Sequence, residues 1–142
     1  MTTRHIAILV ANSARARIIM RWPDRPGLHT RLTIEDGPGL HGLGEGDDAS
    51  DNRVKHKLIV AFIHVITVHL RELAQTHPLD AIVVAAPARM LKDLQAAVAT
   101  IAPSSVGVGK DYLKLSDQQI SVALSSELLQ AEGLLGPMVE HS

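Results

Sequence analysis

Three arginines, Arg15, Arg17 and Arg21, stand at odd positions in the stretch ARARIIMRW (14–22). Alternate side chains of an extended strand point to opposite faces. Arg15, Arg17, Ile19 and Arg21 therefore share one face, and Ala16, Ile18, Met20 and Trp22 share the other. A row of guanidinium groups can contact the phosphates of RNA, each adding salt-dependent affinity. It can equally be a solvated sheet face, or one covered by acids from the 36–51 segment. Arg53, Lys55 and Lys57, within RVKHK (53–57), would enlarge a phosphate-binding patch if they lie beside it. Charge is segregated along the chain. Residues 1–31 hold six arginines and one acid, whereas residues 32–52 hold six acids and neither Lys nor Arg.

Other constellations carry less chemistry. VGVGKD (106–111) lacks two parts of a phosphate-binding loop: Ser104 stands where the first glycine belongs, and Asp111 where Ser or Thr follows the lysine. His64 and His69 are five residues apart, not the four that let one helix face chelate a metal. His41 with Glu45, Asp47 and Asp48 reads as a solvated loop rather than a cation site. Two-metal hydrolysis needs carboxylates converging on ions about 4 Å apart, and the first strand, HIAILVA (5–11), carries none. No Ser-His-Asp arrangement stands out. No catalytic residue, metal or cofactor is expected.

The elements that position these residues follow from periodicity. HIAILVA is apolar without alternation, as in a strand covered on both faces. Asn12-Ser13 makes a turn, and 14–22 returns as the second strand of a hairpin. TRLTIE (30–35) is a third strand. DGPGLHGLGEGDDASDN (36–52) holds five glycines and no apolar period, which reads as a mobile loop. A helix over 53–77 carries Arg53, Lys57, His64, Thr67, Arg71 and Gln75 on one narrow stripe, which implies burial of most of its circumference. Its apolar positions Ile59, Phe62, Ile63 and Ile66 are candidates for a homodimer interface. LDAIVVAAP (79–87) is a short buried strand, and Pro87 opens a helix whose stripe is Met90, Leu91, Leu94, Ala97, Val98 and Ile101. A strand lies around 106–108. SDQQ (116–119) matches a capping box, with Ser116 as cap and Gln119 reaching back, for a last helix running to about Gln130 and closed by Gly133. Residues 133–142 are expected to be loosely held. The class is α/β, a mixed sheet that starts with an antiparallel hairpin, in the order β-β-β-α-β-α-β-α.

The 142 residues suit one domain, 1–142, able to bury roughly 70% of its unfolded surface. Aromatics are limited to Trp22, Phe62 and Tyr112, so the core must be aliphatic and base-stacking platforms are disfavoured. The absence of cysteine removes disulfides, thiolate chemistry and cysteine-ligated zinc. The N-terminal apolar run is too short for a signal peptide, and the stretch 58–70 is shorter than the ~20 residues that span a bilayer. A cytoplasmic protein without membrane contact is expected.

Three blocks resemble the bacterial host-attachment protein family, named for attachment to host cells: LVANSARARI (9–18), DAIVVAAPARML (80–91) and VGVGKDYLKLSDQQI (106–120). That family is similar in turn to the middle domain of archaeal and eukaryotic peptide-chain release factors. The resemblance implies an RNase H-like fold and a translation-linked role with RNA or a ribosomal surface as partner. In the release factors a Gly-Gly-Gln loop enters the peptidyl-transferase centre. The matching loop here carries Gly39, His41, Gly42, Gly44 and Gly46, is acidic and lacks Gly-Gly-Gln, which argues against peptide release. Two further functions stay open: a self-associating interaction module built on the 53–77 helix, and a hydrolase using the 36–52 loop.

Overall fold

The computed structural model describes residues 5–22, 25–35 and 49–133, apart from the side chains of 49–52. The described elements are β1 (Ile6–Ala11), β2 (Ala16–Arg21), β3 (His29–Ile34), α1 (Ala49–Thr76), β4 (Ala81–Ala85), α2 (Ala88–Val98), β5 (Ser104–Val108), α3 (Asp117–Ala123) and α4 (Ser125–Ala131). The strands form one sheet in the order β3-β2-β1-β4-β5. β2 is antiparallel to β1 and β3, whereas β1, β4 and β5 run parallel. The carboxyl ends of β1, β4 and β5 therefore lie together.

β1 has no alternation because both its faces are covered: none of its six side chains is exposed. Ala7, Leu9, Ala16, Ile18 and Met20 face α1 and α2 through Ile59, Phe62, Ile63, Ile66, Met90 and Leu94. Ile6, Ile8, Val10 and Ile19 face α3 and α4 through Ile120, Leu124, Leu128 and Ala131. The result is a three-layer sandwich, helices on both sides of a mixed sheet.

The elements depart from the sequence reading in identifiable ways. The last helix is two short ones, broken at Leu124, whose φ of −106° and ψ of 19° are not helical. The break lets Ile120, Leu124 and Leu128 all reach the sheet. Gly133 adopts a φ of 81° just beyond α4, the left-handed conformation that closes a helix. β3 pairs with β2 through a register shift at Ile18/Ile19, which leaves Arg31 as the extra residue of an edge strand.

α1 is the largest correction. Only one of its faces packs on the sheet, because a helix on a single sheet face has one side to bury. Val54, Leu58, Val60, Val65 and Val68 are exposed. The proposed interface residues Ile59, Phe62, Ile63 and Ile66 are core, at most 6% exposed, so a second copy cannot reach them in the folded chain. Thr67, placed on the polar stripe by its angle, is buried, and its hydroxyl donates to the Ile63 carbonyl at 2.7 Å. By length and composition the segment Arg53–Thr76 would also cross a bilayer, with a mean hydropathy of 1.4. Its inner face is the core of the sandwich.

Candidate nucleic-acid interface

The hairpin turn after β1 is built by one side chain. Asn12 Oδ1 accepts the backbone N–H groups of Ala14 at 2.8 Å and Arg15 at 3.0 Å. This is the local bonding by which asparagine stabilises turns. Asn12 Nδ2 donates to Asp111 Oδ2 at 3.0 Å, across 99 residues of chain. The other Asp111 oxygen accepts the Leu113 N–H at 3.0 Å. The turn is thus tied to the loop that leaves β5.

α2 springs from the end of the neighbouring parallel strand. Pro87 is its N-cap, with a φ of −55°, and no side chain caps it. The Met90 N–H turns back to the Pro87 carbonyl at 2.9 Å, and the positive end of the helix dipole at this terminus favours an anion. Asn12, Ser13, Ala14, Pro87, Arg89, Met90 and Asp111 line an open cavity of about 300 Å³. Arg89 also borders a second hollow of about 210 Å³, shared with Lys55, His56 and Ile59 of α1. Arg89 therefore joins the β1 turn to the basic start of α1. Open α/β sheets bind ligands at this place, outside the carboxyl ends of parallel strands.

No family model matches the chain, and no curated protein does. Solved structures are similar to it. An archaeal translation termination factor aligns over 96% of this chain and 39% of that chain, with 17% identity and a TM-score of 0.51. The chain thus spans about two fifths of that factor's length. The Aquifex aeolicus PPX-GPPA enzyme aligns over 73% of this chain and 36% of that chain, with 14% identity and a TM-score of 0.37, too low to add to the fold. The fold is release-factor-like. The host-attachment half of the resemblance rests on the three sequence blocks alone. Those blocks supply the cavity: Asn12, Ser13 and Ala14 from the first, Pro87, Arg89 and Met90 from the second, Asp111 from the third.

The predicted phosphate contacts are divided. Arg15 is exposed and closes the Asn12 turn. Lys55 lies in the hollow with Arg89, while Arg53 and Lys57 are exposed on the same end of α1. Arg17 and Arg21 lie on the opposite sheet face, committed to the fold. Arg17 donates to the Leu113 carbonyl at 3.1 Å, the Leu115 carbonyl at 2.8 Å and Asp117 Oδ1 at 2.8 Å, and its Nε is buried with no hydrogen-bond partner. Asp117 also accepts the Thr30 N–H at 2.9 Å and the Thr30 hydroxyl at 2.6 Å. Burial pushes the Asp117 carboxyl up. The hydrogen bonds from Thr30 and Arg17, with the Arg17 charge, outweigh this and hold it below the ordinary carboxylate range. Arg21 pairs with Glu132, and partial burial lowers its guanidinium from the usual value. Among the described residues the acids paired with Arg17 and Arg21 are Asp117 of α3 and Glu132 beside α4. The acids of 36–51 that the sequence offered as a cover lie outside the described side chains. Gly39, His41, Gly42, Gly44 and Gly46 lie outside the described residues.

Sequence reasoning missed Arg89 and Lys110. The signal for Arg89 was present: a buried strand followed at once by proline and a helix puts the next side chains at the ligand-binding end of the sheet. Lys110 is exposed beside Asp111 and adds a further cation to this end.

Proposed function

We propose that this chain binds RNA on a ribosomal surface, in the cytoplasm, using the carboxyl end of its parallel strands as the contact face. The observation that carries the reading is Arg89, which lines both hollows and so unites the Arg15 turn with Lys55. Arg89 and the half-buried Lys55 border the hollows, and Arg15, Arg53, Lys57 and Lys110 are exposed in the adjoining segments of chain. The turn after β1, the start of α1 and the start of α2 carry cations that can contact a phosphate backbone, and phosphate contacts supply much of the affinity in such complexes. The ribosomal setting rests on the release-factor-like fold. Peptide release is not part of the proposal, because the chain has no Gly-Gly-Gln.

The test is co-sedimentation with ribosomes across a salt series, for wild type and a Lys55→Glu/Arg89→Glu variant. Both side chains border solvent, so the variant is expected to fold. Wild-type binding should weaken steeply with salt, and the variant should bind less with a shallower slope, each lost phosphate contact removing about 0.7–0.9 from it. Wild type that stays in the supernatant at low salt sinks the reading. A variant as strongly retained as wild type moves the contact elsewhere.

A further inference from the structure

The exposed apolar residues of α1 are not scattered. Val54, Leu58, Ala61, Val65 and Val68 follow at spacings of 4, 3, 4 and 3. That is the a/d repeat by which one helix presents a straight seam to another. All five are exposed: Val54 51%, Leu58 37%, Val65 38% and Val68 37%, with Ala61 in the same class. Singly exposed valines need no explanation, but a continuous stripe of this length marks an interaction surface. Core demand does not explain the spacing, because the inner face of α1 has its own set: Ile59, Phe62, Ile63, Ile66 and Leu70.

We propose that this stripe is the seam of a homodimer in which two copies of α1 pack antiparallel across a two-fold axis through Ala61. The occupant is a second copy because the stripe is complementary to itself when reversed. Centred on Ala61, Val54 meets the second copy's Val68, and Leu58 comes within one residue, about 1.5 Å of helix rise, of its Val65. A two-fold interface requires such reciprocity, residue i on j and j on i. The smallest side chain falls where the axes cross and come closest, which permits the 8–10 Å separation of packed helices. Charge agrees with the antiparallel sense. Arg53 stands before the amino-terminal end of the stripe and Glu72 beyond its carboxyl-terminal end, both exposed. Reversal brings each Arg53 within one turn of the second copy's Glu72. A parallel pair would instead stack like charges. The seam also borders an open cavity of about 320 Å³ between α1 and the edge strand β3, whose rim carries His69 and Glu72. The Arg53 of a second copy reaches that rim.

The chain has no cysteine, so one introduced thiol reports the geometry without interference. Sedimentation equilibrium at micromolar concentration should give twice the 15.3 kDa chain mass for wild type. Leu58→Glu/Val65→Glu should give the single-chain mass with unchanged circular dichroism, since neither residue belongs to the core. Under mild oxidation Ala61→Cys should form a disulfide-linked dimer, whereas Val68→Cys, displaced from the axis, should not. Val54→Cys mixed with Val68→Cys should form the mixed disulfide. A monomeric wild type overturns the proposal. If that monomer floats with neutral phosphatidylcholine vesicles, the stripe is a membrane contact instead. A dimer that survives Leu58→Glu/Val65→Glu, or Val68→Cys linking as readily as Ala61→Cys, overturns the seam.

Discussion

Arg17 shows what a side chain at one strand position can be asked to do. Its fork reaches two carbonyls of the 113–115 turn and the Asp117 carboxylate. Asp117 in turn holds both polar groups of Thr30 on β3. One ion pair therefore fastens β2, β3 and the start of α3. Arg17→Ala leaves a partly buried carboxylate and two carbonyls without their donor, and should cost about 2 kcal/mol in denaturant unfolding. A loss near zero would return Arg17 to the pool of surface cations. Because Asp117 titrates below its ordinary value in the folded state, its stabilisation is present above the unfolded carboxylate pKa, about 3.9, and is lost as pH falls through the folded one. Asp117→Asn should start less stable at neutral pH and lose less stability on acidification below about pH 4. An acid limb as steep as that of wild type would assign the titration to other carboxylates. Arg15, two residues before Arg17, has no such duties and is the cleaner probe of RNA contact.

At the scale of elements, local physics was legible and non-local partners were not. The period of two in residues 16–21 gave the correct faces of β2, because it depends only on strand geometry. It could not name Asp117 as the partner of Arg17, since those residues are 100 apart in the chain and meet only through topology. The capping box was readable because all its atoms lie within four residues. Ser116 Oγ accepts the Gln119 N–H at 3.1 Å and Gln119 Oε1 accepts the Ser116 N–H at 2.9 Å. Ser116→Ala should cost about 1 kcal/mol in unfolding free energy. α1 was misread because an apolar count cannot say which of two apolar faces meets the sheet. The two faces are separable by experiment. Ile63→Ala, in the core, should cost about 3 kcal/mol, and Val60→Ala, on the exposed side and off the seam, should stay within about 0.5 kcal/mol. Equal losses would mean that the outer face is covered within the chain. The candidate site was legible in its parts, as three sequence blocks, but not as a whole. Arg89 gains meaning only once β1, β4 and β5 are known to be parallel neighbours.

For the whole molecule the decisive quantity is the distribution of charge, not its sum. A net charge of −1 offers no general attraction to RNA. Yet Arg89 and Lys55 border a shared hollow near one end of the sheet, and Glu45, Asp47 and Asp48 precede α1 by one to four residues in the sequence. These acids are covalently bound to the start of the helix that carries Arg53, Lys55 and Lys57. Charges separated by less than a Debye length, about 8 Å at physiological ionic strength, act on the same ligand. Wherever the chain brings them within that length of the basic residues, they would oppose a phosphate bound there. Replacing them together, Glu45→Gln/Asp47→Asn/Asp48→Asn, should strengthen binding to ribosomes or to single-stranded RNA severalfold at low salt. The gain should close as salt is raised, because only the screened part of the affinity has changed. The same variant should leave the dimer mass and unfolding midpoint near wild type, since it replaces none of the described core or seam residues. Affinity that is indifferent to these three charges would place the RNA contact away from the amino-terminal end of α1, and with it away from Lys55 and Arg89.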